Sequence, residues 1–290
     1  MRIIEPSELI LNSDGSVFHL HLLPEQISDT IMLVGDPGRV DTVSDFFSSK
    51  EFTVSNREFK STTGAFNGKR VTVLSTGIGT DNIDIVINEL DALANIDLKT
   101  RIVKDAHRKL TFVRLGTSGS LQPDIPLASN VLTEISIGFD GLLNFYANRN
   151  KVSELEMEQA FLKHTNWNAQ CAKPYFTYSS ERLVKLFENY TIKGVTISAP
   201  GFYGPQGRVL RLPLADPHLN EKIESFSFNG RRITNFEMES SAINGLSRLM
   251  GHDSVTICTI IANRVSKDAT KDYQPAIKNL IEQTLMTLTE

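Results

Sequence analysis

The sequence predicts an α/β fold, a single domain over residues 1–290 with a large mixed, mainly parallel twisted sheet flanked by helices in three layers. Three observations predict it. Short apolar runs end in glycine turns, at 31–34 before Gly35-Asp36-Pro37-Gly38, at 71–74 before Thr76-Gly77-Ile78-Gly79 and at 110–115 before Gly116-Thr117-Ser118-Gly119, as buried strands do. Between the last two, Ile83, Ile87, Leu90 and Ala94 recur at helical spacing and Val86 widens the stripe, which predicts a crossover helix over 82–94. Strand and helix signals then alternate toward the C-terminus, the pattern of parallel strands joined by crossovers.

The remaining elements follow in order. A helix over 40–47 succeeds the first strand, and strands over 131–135, 195–198, 233–236 and 255–262 follow the third. The last is rich in β-branched residues, as a strand buried on both faces should be. Helices are expected over 181–189, 237–249 and 274–288. In the second of these Met238, Ala242, Leu246 and Leu249 make one apolar face and Gly251 supplies the stop. Lys99, Arg101, Lys104, Arg108 and Lys109 crowd the segment 97–109, which reads as a surface insertion with a solvated loop or helix face rather than an anion site. No internal repeat, low-complexity tract or linker divides the chain.

Composition excludes several classes of function. Of 290 residues 40% are hydrophobic and 22% charged, with a formal net charge of -4, and the mean hydropathy is -0.15. There is thus no global attraction to nucleic acid or anionic lipid, while a local pocket for a small anion stays open. The only cysteines, Cys171 and Cys258, have neither disulfide-framework nor zinc spacing. With no basic-then-apolar leader and no membrane-length apolar run, a cytoplasmic protein is expected.

Ligands of open α/β sheets gather at strand carboxyl ends, where glycines let backbone approach and amides point outward. Gly35-Asp36-Pro37-Gly38-Arg39 and Arg114-Leu115-Gly116-Thr117 each join a turn to an arginine, a pairing suited to a phosphate dianion. Either alone would read as a tight turn with a surface arginine; together they favour the anion site. In Phe236-Glu237-Met238-Glu239-Ser240, Glu239 could accept both hydroxyls of a vicinal diol. The plainer reading sets both glutamates at the positive end of a helix dipole. Phe202-Tyr203-Gly204-Pro205-Gln206-Gly207-Arg208 offers an aromatic face, an amide and a guanidinium. Phe202 could stack on a base while Gln206 and Arg208 meet the polar edge of uracil. Taken alone it is an ordinary Gly/Pro turn.

Together these motifs, with Asn56-Arg57-Glu58-Phe59 and Phe18-His19-Leu20, resemble the nucleoside phosphorylase-I family over most of the chain, and within it the uridine phosphorylases. The resemblance implies a pentosyltransferase that splits uridine reversibly, with inorganic phosphate as co-substrate, into uracil and ribose 1-phosphate. It assigns Gly35, Arg39, Arg57, Arg114 and Thr117 to phosphate, His19, Met238 and Glu239 to ribose, and Phe202, Gln206 and Arg208 to the base, with Arg114, Arg208, Gln206 and Glu239 the catalytic set. Arg57 and His19 would come from a neighbouring subunit, implying a homo-oligomer, dimer or hexamer, with shared sites. No organic cofactor or metal is expected. Some relatives form a monovalent-cation site with the counterparts of Glu58 and Ile78 and a serine, and this chain has Asn82 in the serine's place. Alternatives on the same fold are a purine nucleoside phosphorylase, a nucleosidase or a non-catalytic nucleoside binder. The loop 198–202 lacks the aspartate with which purine-specific relatives protonate the leaving base.

Overall fold

A computed structural model describes residues 2–290. β1 (Thr30–Val34) leads into α1 (Pro37–Ser44). The Asp36 carboxylate accepts from the Gly38 N–H at 2.9 Å, and Pro37 fills a position that needs no donor. The helix therefore begins three residues before the expected 40–47. β2 (Ser49–Asn56) and β3 (Phe59–Phe66) form an antiparallel hairpin against β4 (Lys69–Ser75). The sequence concealed the hairpin because β2 is largely exposed and polar. α2 (Thr80–Asn95) is the expected crossover, followed by a two-stranded ribbon of β5 (Ile96–Asp97) and β6 (Ile102–Val103), then β7 (Thr111–Ser120).

The second half comprises β8 (Asn130–Gly138), α3 (Leu155–Thr165), β9 (Tyr175–Tyr178), α4 (Glu181–Phe187), β10 (Ile192–Ser198), α5 (Leu219–Ser225), β11 (Ser227–Phe228), β12 (Arg231–Glu237), α6 (Ser240–Met250), β13 (Asp253–Asn263) and α7 (Gln274–Thr289). The strands form one 11-stranded sheet ordered β11-β12-β10-β8-β13-β7-β1-β4-β3-β2, with β9 beside β8. Parallel pairing holds from β4 through β1 and β7 to β13, and again among β8, β10 and β12; the β2–β3–β4 edge and the β8–β13 seam are antiparallel. One feature lay outside the expectation. β12 returns to pair with β7, Asn235 opposite Ser120 and Phe236 opposite Gly119, so β12, β10, β8, β13 and β7 close a ring.

Alternate side chains of β1 divide between two cores, as strand pleating requires. Ile31 and Leu33 pack with Ile83, Ile87 and Leu90 of α2 and Ile243 and Leu246 of α6. Met32 and Val34 pack with Val40 and Val43 of α1, Leu183 of α4 and Leu280 and Ile281 of α7. Each such buried side chain contributes about 1.5–3 kcal/mol, which makes the sheet a stiff platform with helices on both faces, the α/β class expected.

The segment 97–109 is a short two-stranded turn followed by an extended, largely exposed return. His107 Nε2 donates to the Met250 carbonyl at 2.9 Å, and its ring stacks on His252 at 5.3 Å between centroids. Asp91, His107 and His252 bring potential ligand atoms within 4.8 Å of one another. However, the Leu110 N–H occupies His252 Nδ1 at 3.1 Å, and His252 Nε2 meets Asp91 at 3.0 Å. Near-parallel stacked rings, moreover, share no in-plane point for an ion. The group is a hydrogen-bonded clasp that ties the insertion to α2 and to the end of α6.

Candidate active site

A cleft of about 840 Å³ opens at the carboxyl ends of β1, β7, β10 and β12, where ligands of such sheets collect. Its walls hold Gly35 and Arg39 from the β1–α1 turn, Arg114 and Thr117 from β7, Phe202, Gln206 and Arg208 from the loop after β10, and Met238 and Glu239 between β12 and α6. These nine expected site residues therefore meet in one cavity. Glu58, Asn82 and Tyr273 also line it.

Arg114 is central. It is buried, and its guanidinium reaches Glu237 at 3.2 Å, hydrogen-bonds Glu239 and approaches Cys258 Sγ at 3.5 Å, while Nε finds no partner. Gly116 makes the room: a Cβ there would lie 2.4 Å from Arg114 Nη1. Burial alone would pull the guanidinium's pKa down, but the carboxylates of Glu239 and Glu237 outweigh it and hold it above its ordinary value. Arg39 donates to the Leu115 carbonyl at 3.3 Å. Burial first, and then the nearby Arg114 charge, lower its pKa. Two guanidiniums thus converge on one end of the cleft, where an oxyanion would relieve their repulsion.

The two glutamates divide their tasks. Glu237, the last residue of β12, accepts from the N–H groups of Glu239 and Ser240 at 2.9 Å each and from the Ser198 and Ser240 hydroxyls at 2.6 and 2.7 Å. It therefore caps α6, which begins at Ser240 rather than at 237, and the helix-dipole reading suits it. Both glutamates line the cleft, and Glu239 takes Arg114 and the Gly79 N–H at 2.8 Å there. Gly77 and Gly79 hold the turn that delivers this amide with φ of 69° and 99°, values open mainly to glycine. Burial pushes the Glu239 carboxyl up to about 7, Arg114 opposing and Glu237 assisting.

At the opposite end the loop after β10 folds on itself. Arg208 Nη1 donates to the Gln206 amide oxygen at 2.6 Å and the Phe202 carbonyl at 2.5 Å, and its guanidinium lies 3.8 Å from the Phe202 ring centroid. Burial, then repulsion from Arg264, lowers the Arg208 pKa to about 10. Arg264, with Nη1 buried and unpartnered, was not singled out in the sequence. Its only signal was an arginine directly following the last strand.

His19 and Arg57 do not line the cleft of their own chain. They lie together instead: Asn56 Nδ2 donates to the His19 carbonyl at 2.8 Å, Arg57 sits 5.5 Å from the Phe18 ring centroid, and His19 Nδ1 meets Glu89 at 2.6 Å. Arg57 turns the β2–β3 hairpin with φ of 55°, which costs a non-glycine residue energy.

Residues 29–288 match the Phosphorylase superfamily, and the chain belongs to that family. It is an enzyme of the nucleoside phosphorylase kind, a pentosyltransferase similar to uridine phosphorylases. A uridine phosphorylase of Thermococcus kodakarensis is 27% identical over 88% of this chain and 80% of its own length. A Trypanosoma brucei nucleoside phosphorylase, described as showing uridine phosphorylase activity, superposes with a TM-score of 0.83 at 28% identity, covering 97% of this chain and 99% of that one. A guanosine phosphorylase of Halorubrum lacusprofundi is 33% identical over 39% of this chain and 42% of its own. Among the described residues no helix is long and apolar enough to cross a membrane.

Proposed function

We propose that the enzyme is a uridine phosphorylase, which converts uridine and inorganic phosphate reversibly to uracil and ribose 1-phosphate. The observation that carries this reading is the cleft wall after β10, which offers Gln206 and Arg208 to a base and no carboxylate. The nearest downstream candidate, Asp216, is paired with Lys222 at 2.7 Å and lines a different cavity. A purine leaves best when protonated, whereas uracil leaves as a delocalised anion that a guanidinium and an amide can stabilise.

In this reading Arg39, Arg114, Thr117 and the Gly35 turn hold phosphate below the sugar, where it is both nucleophile and counter-charge to an oxocarbenium-like transition state. Glu239 accepts the ribose hydroxyls, Met238 packs beneath the ring and Phe202 stacks on the base. Arg57 and His19 serve the cleft of a neighbouring copy in a homo-oligomer, dimer or hexamer. Their grouping outside their own cleft and the strained Arg57 backbone support this. We place the enzyme in the cytoplasm, with no cofactor beyond its co-substrate. Neither a nucleic acid nor a membrane partner follows from a chain of net charge -4.

Incubation with uridine, thymidine or inosine, with and without phosphate, followed by chromatography, tests the proposal. Uracil release that requires phosphate is the expected result. Release without phosphate would make the protein a nucleosidase, preference for inosine a purine enzyme, and no release a binder.

A further inference from the structure

A second cavity, of about 470 Å³, lies behind the loop that carries the base-recognising residues. Phe139, Trp167, Pro205, Leu214 and Leu219 give it apolar walls, and Asp140 stands at its edge. The Phe139 and Trp167 rings lie 4.7 Å apart. Among the described residues no lysine or arginine lines it. The polar part of the wall holds the carboxylates of Asp140 and Asp216 beside Thr165, Asn166 and Asn168, and no fixed positive charge. Its size, its apolar walls and a small number of polar groups are the marks of a small-molecule site.

Asp140 is committed only in part. Oδ1 accepts from the Leu142 N–H at 2.7 Å and the Tyr175 hydroxyl at 2.9 Å, while Oδ2 takes contacts from Ser241 Oγ and the Tyr175 hydroxyl at 3.2 Å each. A carboxylate has about four lone-pair sites, and only three donors meet them here, the Leu142 N–H and the Ser241 and Tyr175 hydroxyls, the last shared between both oxygens, so one site stays open to a further donor. Asp216, also in the wall, is already neutralised by Lys222 at 2.7 Å.

Two connections lead from this cavity to the active site. Gly204 and Pro205 line the second cavity, while Phe202, Gln206 and Arg208 line the cleft. One short turn thus separates the two spaces, and a ligand on one side presses on residues facing the other. The second connection is a run of hydrogen bonds. Ser241 contacts Asp140 through its hydroxyl and donates its N–H to Ser198 Oγ at 2.9 Å; Ser198 Oγ donates to Glu237 Oε1 at 2.6 Å; Glu237 Oε2 holds Arg114 at 3.2 Å.

We infer that this cavity is a second ligand site, for a compact aromatic amine whose ring lies between Trp167 and Leu214 and whose ammonium meets Asp140, and that its occupation shifts nucleoside affinity through the shared turn. The site does not depend on which nucleoside is the substrate. Trp167 is the chain's single tryptophan, so its emission reports on the cavity directly.

The probe is phenethylamine, with phenylacetate as its anionic counterpart. Phenethylamine should change Trp167 emission saturably, and phenylacetate should bind at least about tenfold more weakly. Leu214→Arg, outside the catalytic cleft, should abolish the response while leaving turnover within about twofold of the parent. Saturating amine should move the KM for uridine by about threefold or more in the parent and not in the variant. No saturable response, equal binding of both probes, or a response unchanged in Leu214→Arg would overturn the site, and bound amine with an unmoved KM would overturn the coupling. Should Leu214→Arg change the oligomeric mass in sedimentation, the cavity is an interface between copies and the ligand assignment fails. If no nucleoside is cleaved at all, the uridine proposal falls while the emission titration still decides this one.

Discussion

The Arg114 guanidinium and the Glu239 carboxylate are hydrogen-bonded to each other inside the cleft, and both are almost wholly buried. In the proposed reaction each of the two is called on by a different substrate, Arg114 by phosphate and Glu239 by ribose, so each must loosen its hold on the other.

Arg114→Ala removes the cation that both glutamates share. Phosphorolysis is expected to fall on the order of 10²–10³-fold or more, and stability by about 3–5 kcal/mol, because two buried carboxylates lose their counter-charge. Product chromatography and thermal melts measure the two effects. Turnover equal to the parent would refute the phosphate assignment.

Glu239 yields a pH signature. Its pKa stands at about 7, above the ordinary 4.5, so the folded state binds more protons than the unfolded one between those values. Stability from this group is accordingly highest below about 4.5 and is lost as pH rises toward 7. In the proposed binding mode the same ionisation creates the acceptor for ribose, so uridine KM should fall as pH rises through about 7. Glu239→Gln should flatten both profiles, and a variant that keeps the parent's KM profile would remove Glu239 from ribose binding.

Gly116→Ala places a methyl 2.4 Å from Arg114 Nη1, and neither the strand nor the buried guanidinium has room to yield. The KM for phosphate should rise about tenfold or more, with the uridine KM much less affected. Initial-rate kinetics with each substrate varied in turn separate the two; equal rises would point to general distortion.

Arg208→Ala dissolves the clasp among Phe202, Gln206 and Arg208. The KM for uridine should rise about 10- to 100-fold and the preference over inosine should shrink, since an unpaired polar edge is what discriminates bases. Competition between the two nucleosides in one reaction reads the ratio directly, and an unchanged ratio would place base selection elsewhere.

Arg57 and Arg114 should complement each other across copies. Arg57→Ala and Arg114→Ala are each expected to be inactive, yet dissociated and reassembled one to one they should regain about a quarter of parental activity, because half of the mixed pairs' sites carry neither change. Recovery absent from mixtures whose exchange is proven by mass would mean that Arg57 does not serve a neighbour.

The parallel part of the sheet and the cleft were readable because burial on both faces leaves unbroken apolar runs, and because strand ends that meet a ligand need glycine. β2 and β3 were not, since β2 is largely exposed and polar, and β3, though mostly buried, is built largely from Ser, Thr, Gly and Lys and carries no such run. α3 and α5 fell in stretches without a clear stop or start. The glutamates show where pattern ends and geometry begins: both line the cleft, yet only the course of the backbone shows that Glu237 caps a helix while Glu239 takes Arg114 and the Gly79 N–H. The second cavity could not be foreseen, because Phe139, Trp167 and Leu214 lie far apart in the chain and meet only through tertiary packing.

The closure of β12 onto β7 bears on how such an enzyme changes its diet. The strand bearing Arg114 and the strand leading to Glu239 are stitched directly to each other, so the spacing between these two residues is locked by backbone and resists drift. The loop that carries Phe202, Gln206 and Arg208, proposed to meet the nucleobase, hangs outside that ring. A lineage can therefore rewrite which base it accepts, by exchanging a few loop side chains, while inheriting the bond-breaking geometry intact.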